Sequence, residues 1–127
     1  MTYSEVTHDV KIQVRPIFME TESDLITGKY VFAYFITIEN LSNERIQLLR
    51  RHWEIHDSAG ESYKVDGDGV VGRQPVIVPG RSHSYNSYCV LKSMAGTMEG
   101  YYEMMRPDGE LIQVKIPKFL LRSHLLN

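Results

Sequence analysis

Three glycines spaced as G-x-G-x-x-G, namely Gly67, Gly69 and Gly72, stand in the run Val-Asp-Gly-Asp-Gly-Val-Val-Gly-Arg-Gln-Pro over residues 65–75. In a dinucleotide-binding unit such glycines leave a strand and open a helix, whose free N–H groups take the pyrophosphate. Here Pro75, the β-branched Val76-Ile77-Val78 and Pro79-Gly80 follow, which reads as a short strand closed by a turn. An anion can still be held without a helix if successive N–H groups curl inward as a nest, with Arg73 and Lys64 adding charge. Asp66 and Asp68 oppose this, because carboxylates beside a nest repel phosphate unless a divalent cation intervenes. Gly67, Gly69, Gly72 and Arg73 are thus the candidate site for phosphate or pyrophosphate. The simpler reading is that the glycines supply positive φ in an irregular crossing between sheets.

His52, Glu54 and His56 form a second constellation. They alternate along one predicted strand and so share a face, and imidazoles with a carboxylate are donors that divalent transition metals accept. The order H-x-E-x-H is not the helical H-E-x-x-H of zinc proteases. Same-face neighbours stand about 6.5 to 7 Å apart, so convergence needs favourable rotamers. Otherwise the three are the solvated face of a strand whose other face holds Trp53 and Ile55. His8, His83 and His124 are scattered. Cys89, among apolar neighbours, reads as a small buried residue rather than a nucleophile, and Ser82, Ser84 and Ser87 lack a G-x-S-x-G elbow. The sequence places no nucleophile, base and orienting group together, so no catalytic residue and no cofactor is assigned and a non-enzymatic chain is expected. A nucleotide hydrolase would need a base near the loop, for which Asp66, Asp68 and His83 are the candidates.

Strands must carry these groups. Val10, Ile12, Val14 and Phe18 alternate with polar residues, the two-residue period of a strand with one buried face, and this reads as the first strand. Residues 30–38 are apolar on both faces, as in the centre of a sheet. Residues 46–57 make a third extended run, with Leu49, Trp53 and Ile55 expected inward. Strands are expected at residues 63–65, 76–78 and 82–91. A break flanked by Gly96 and Gly100 precedes residues 101–105, and Arg106-Pro107-Asp108-Gly109 turns the chain into residues 111–116. Seven or eight strands with turns every eight to twelve residues predict an all-β fold, a β-sandwich of two antiparallel sheets of immunoglobulin or fibronectin type III kind. The single cysteine excludes the inter-sheet pair of antibody domains and favours the fibronectin type III variant.

With 127 residues and 43% hydrophobic content, the chain is expected to form one domain over residues 1–127, with residues 118–127 as a C-terminal tail. The apolar character of that tail suits docking on its own domain or on a second copy. No segment is long and apolar enough for a bilayer. The N-terminus lacks a secretory signal, so a cytoplasmic protein is expected. A net charge of −2 argues against nucleic acid as the main partner.

Several segments together resemble the ApaG domain. They are Leu48-Leu49, Arg51-His52-Trp53-Glu54-Ile55, Asp57, Gly60, the run Gly-Asp-Gly-Val-Val-Gly-Arg-Gln-Pro over residues 67–75, and Pro79-Gly80. Tyr85, Ser87, Leu91, Gly96, Met98, Gly100, Tyr102, Met104, Ile116-Pro117 and Phe119 continue the likeness to about Leu120. Tyr88, where the family usually has Gly, and Ser93-Met94, in place of Thr-Pro, depart from it. The resemblance implies a fibronectin type III-like sandwich, found alone in bacteria and appended to larger eukaryotic proteins such as F-box adaptors. It also implies a setting near diadenosine tetraphosphate hydrolysis, cobalt tolerance and magnesium efflux, with no catalytic activity firmly attached. Tyr85, Tyr88, Tyr101 and Tyr102 with Met94, Met98, Met104 and Met105 should mostly fill the core, and any left outside would offer a protein partner an adaptable patch. The expected role is therefore a protein-interaction module, with a phosphate-binding protein as the alternative.

Overall fold

The alternation of Val10, Ile12 and Val14 with polar residues becomes a strand whose apolar set is fully buried. The computed structural model describes residues 1–125 and arranges them as two stacked antiparallel sheets. The four-stranded sheet has the order β1 (Tyr3–Thr7), β2 (Val10–Phe18), β3 (Tyr30–Asn40), β7 (Ser82–Leu91). In the second sheet the order is β5 (Ser62–Asp68), β4 (Ile46–Asp57), β8 (Ala95–Met105), β9 (Leu111–Arg122), and the short β6 (Val76–Ile77) pairs with the start of β4. Strand β1 was not foreseen from sequence. His8 and Asp9, both at positive φ, close a two-residue hairpin that pairs Thr7 with Val10 and sets the register of β1 against β2.

The expectation for β3 is met: Tyr30, Phe32, Tyr34, Ile36 and Ile38 face the core, and Val31 and Ala33 on the other face are buried too. The short 3-10 turn Glu20–Glu22 lies against this strand. Phe119, Trp53 and Tyr34 form the aromatic centre of the core, with ring centroids 5.3 to 6.0 Å apart, a spacing at which tilted and edge contacts are favourable.

Three details differ from the sequence reading. Leu49 does not share the inward face of Trp53 and Ile55, because it is the extra residue of a bulge between the pairs Leu48 with Met104 and Arg50 with Glu103. The bulge switches the phase, so Ile46 and Leu48 point in before it and Trp53, Ile55 and Asp57 after it. Residues 95–105 make one unbroken strand with Gly96 and Gly100 inside it. The strand after the hairpin runs to Arg122 rather than stopping at Ile116. An extra residue at Pro117 and Lys118 lets Phe119 and Leu121 point inward after Ile112, Val114 and Ile116. Residues 118–122 of the expected tail are therefore strand, and Leu126 and Asn127 lie outside the described residues.

The two long sides of the sandwich differ. On one, β1 and β2 lean on β9: Tyr3 lies against Phe119, the Lys115 N–H donates to Thr7 Oγ1 at 3.3 Å, and Glu5 pairs with Lys115. On the other, the free edges of β5 and β7 flank an opening. It is tied at both ends by buried polar side chains. Asn40, at the end of β3, donates from Nδ2 to the Ile77 and Glu44 carbonyls, both at 2.8 Å. Asp57, at the end of β4, accepts from the Lys92 and Ala59 N–H groups and from the Ser93 hydroxyl. Among the described residues no helix is long and apolar enough to cross a membrane.

Candidate functional site

The glycine segment continues β5 into a hairpin. Gly67 and Asp68 are the last residues of β5, paired with Arg51 and Arg50. The Gly69 N–H then donates to the Leu49 carbonyl at 2.8 Å, so the bulge in β4 and this turn are built together. Val70 and Arg73 exchange both backbone hydrogen bonds, and Val71 and Gly72, both at positive φ, form the two-residue turn between them. The N–H groups of Gly69, Val70 and Arg73 thus already donate to carbonyl oxygens. A Cβ on Gly69 would sit 2.1 Å from the Arg73 carbonyl oxygen, at a backbone φ of +62°. Substitution there probes the fold rather than a ligand. Asp68 is neutralised by Arg50 at 2.6 Å, while Arg73 is exposed beside the turn.

His52, Glu54 and His56 lie on the outer face of the five-stranded sheet but do not converge. His52 Nδ1 meets Asp66 Oδ1 at 2.6 Å, and its ring stacks on Tyr101 with centroids 4.8 Å apart. Its Nε2 is 3.8 Å from Glu54. His56 turns away to the Ser62 hydroxyl at 2.8 Å. Among the described residues, no three His, Cys, Asp or Glu side chains are grouped to hold a metal.

What the structure does bring together is the opening between β5 and β7, a cleft of about 300 Å³. Trp53, Ile55, Tyr34 and Met98 form its floor, Tyr63 and Val65 its β5 wall, and Ser87, Tyr88, Cys89 and Val90 its β7 wall. Tyr88 is 58% exposed and Val90 47%, both at the β7 edge with side chains toward the outer face, where they pair with Ala33 and Val31. Tyr63 is 41% exposed, so the apolar groups at the rim are open to solvent. A Tyr63 hydroxyl bond to the Val90 carbonyl, at 3.5 Å, crosses it. A larger dish of about 430 Å³ lies on the outer face of β2, β3 and β7, but its cation, Arg15, already rests on the Phe35 ring.

Arg51 is the charged member of the cleft. Its position in the inward phase with Trp53 and Ile55 sends the side chain under β5. Gly67 opposite leaves the room, since a Cβ there would lie 2.7 Å from Nη2. Nη1 donates to the Asp68 and Gly69 carbonyls at 3.0 and 2.9 Å. Arg51 is in no ion pair among the described residues. Sequence reasoning missed it as a site residue. The signal was present as a charge in the buried phase of a strand.

The titrating groups nearby are held in their neutral forms. Burial pushes the Tyr34 hydroxyl up, while its bond to Ser87 and the charge of Arg51 pull it partway back. Burial raises Tyr85 and Tyr102, whose hydroxyls bond each other, and lifts Tyr63 to about 12. It likewise pushes the Cys89 thiol to about 11, which removes the thiolate needed for nucleophilic chemistry at neutral pH. Burial, aided by the charge of Arg73, lowers His83. The cleft can therefore bind through apolar contact, neutral hydroxyls and one guanidinium.

The ApaG domain matches residues 20–106. The protein ApaG of Mesorhizobium japonicum is 45% identical over 119 residues, covering 94% of this chain and 92% of that one. For the protein ApaG of Proteus mirabilis the identity is 47% over 112 residues, with 88% and 90% covered. The crystal structure described as that of an ApaA protein of Bordetella pertussis is similar with a TM-score of 0.88 and 37% identity, over 91% of this chain and 94% of that one.

Proposed function

The chain belongs to the ApaG domain family, and from that premise we propose that it is a non-enzymatic binding module whose partner is a protein engaged at the open side of the sandwich. The observation that carries this reading is the β5–β7 cleft. Exposed Tyr88, Val90 and Tyr63 rim a floor of Trp53 and Tyr34, and aromatic side chains around a desolvated centre are what anchor protein interfaces. The protonated thiol of Cys89 supports a binding role over a catalytic one. A setting in divalent cation (cobalt, magnesium) or dinucleoside polyphosphate homeostasis is the one the family resemblance implies, and the expected cytoplasmic location is compatible with it. A second copy of the chain is one form the partner can take.

Site-specific photocross-linking in cells tests this reading. Tyr88→p-benzoylphenylalanine is expected to give a discrete adduct with a protein, and the same substitution at Gln113, on the outer face of β9, none. Identical adduct patterns from the two positions would sink the assignment. Phosphate or pyrophosphate held by Gly67, Gly69, Gly72 and Arg73 is the second reading. Exposed Arg73, in no ion pair among the described residues, favours it. Under that reading Arg73→Ala weakens pyrophosphate binding without changing thermal stability.

A further inference from the structure

Resting on the binding-module reading, we propose that the β5–β7 cleft takes an extended acidic peptide segment, which adds as a strand to the free edge of β7 and seats a carboxylate side chain on Arg51. The first support is the edge itself. β7 pairs only with β3 among the described residues. The Val90 carbonyl points across the cleft to the Tyr63 hydroxyl, so it faces away from β3. Backbone groups alternate in direction along an antiparallel strand, which puts the N–H and C=O groups of Tyr88 and Asn86 on the same open edge. Such an edge is a template for an added strand, whose main chain supplies affinity while alternate side chains enter pockets.

The second support is what those alternate side chains would meet. Tyr63, Val65 and Trp53 line the cleft, so an added strand with small apolar residues on its inward face finds matching walls. Arg51 then selects charge. It lies half-buried in the cleft, one arm of its guanidinium is held by two backbone carbonyls, and it pairs with no acid among the described residues. The carboxylate of Asp68 is turned to Arg50 instead. A partly buried cation without a counter-ion favours an incoming anion, and the planar fork of arginine matches a carboxylate. Because Gly67 and the hairpin carbonyls fix the guanidinium before binding, little side-chain freedom is lost on pairing. The hydroxyls of Tyr34 and Ser87 on the same cleft are neutral partners for a second carboxylate oxygen.

The probe is a blocked seven-residue peptide with threonine at odd positions, valine at positions two and six and glutamate at the centre, titrated into the full chain by NMR. Its glutamine-centred counterpart is the comparison, and inorganic phosphate a separate arm. Saturable shifts are expected at the Asn86, Tyr88 and Val90 amides and at Arg51 Nε. The glutamine peptide should bind about tenfold more weakly, as expected for loss of a charge-assisted pair. Arg51→Lys, checked for an unchanged amide spectrum elsewhere, should shrink that ratio. Equal binding of the two peptides, or silence at β7 up to millimolar peptide, overturns the proposal. So does an Arg51 shift with phosphate when the peptide gives none, which would mark a small-anion site. The binding-module reading is tested separately by the cross-link at Tyr88, so the two can fail independently.

Discussion

Along the β1/β9 side the sandwich is closed by packing, with Tyr3 on Phe119 and the Thr7 and Glu5 side chains on Lys115. Along the β5/β7 side Asn40 and Asp57 hold the two ends, the Tyr63 hydroxyl reaches across to the Val90 carbonyl, and the cleft stays open over Trp53. One side spends its aromatic residues on closure and the other leaves them at a rim. Buried polar ties are suited to the second task, because a hydrogen bond fixes a separation whereas apolar contact draws surfaces together. The difference shows how one architecture combines a stable seam with a preformed opening.

The comparison can be broken by mutation. Phe119→Ala, on the closed side, should cost about 3–5 kcal/mol in urea unfolding, since it empties the aromatic centre of the core. A loss no greater than that of the polar ties would erase the distinction between the two sides. Asn40→Ala leaves the Ile77 and Glu44 carbonyls without their donor and should cost about 2–3 kcal/mol. It should also broaden the β6 and β7 amide signals while those of β1 and β9 stay sharp.

Asp57→Asn should cost about 2 kcal/mol at neutral pH, through hydrogen bonds to a charged acceptor. Burial alone would raise this carboxyl, but the bonds from Ser93, Ala59 and Lys92, with the Lys92 charge, outweigh it and hold the folded pKa below its ordinary value. The contribution is therefore complete above the unfolded value, about 3.9, and drains away as pH falls through the lower folded one. Denaturation midpoints between neutrality and strong acid should show this slope in the parent and less of it in the variant. Smallest is Tyr88→Ala, which should change stability by no more than about 0.5 kcal/mol, because the ring is mostly exposed. The same variant should lose the partner, and a large stability loss would mean that the rim belongs to the core.

Much of the architecture was legible because alternation reports burial directly. Val10, Ile12 and Val14 marked β2, and apolar residues on both faces marked β3 as central. Strand β1 was hidden because its inward set, Tyr3, Glu5 and Thr7, includes two polar residues that serve Lys115 rather than the core. Leu49 misled because a bulge is set by a partner strand and a turn distant in sequence, here the Gly69 N–H. The glycine motif was conspicuous, yet its geometry is a hairpin. Its link to the cleft is Gly67, which vacates the space Arg51 fills. A cleft between sheet edges cannot be read from any one strand, since it depends on which strands end up without neighbours.

The extra residue at Leu49 also governs which length changes the chain can absorb. Because Leu49 stands outside the pairing with β8, the inward set of Ile46 and Leu48 continues in Trp53 and Ile55. Deleting Leu49 would join the pairs Leu48 with Met104 and Arg50 with Glu103 in one regular ladder and leave Trp53 and Ile55 facing inward. A residue added between Arg50 and Trp53 would instead send Trp53 and Ile55 outward. An added residue in the exposed turn at Ser58-Ala59-Gly60 lies beyond the last paired position of β4 and alters no facing. Among relatives of this chain, length changes should therefore fall in that turn or at Leu49, and insertions should avoid the run from Arg50 to Ile55.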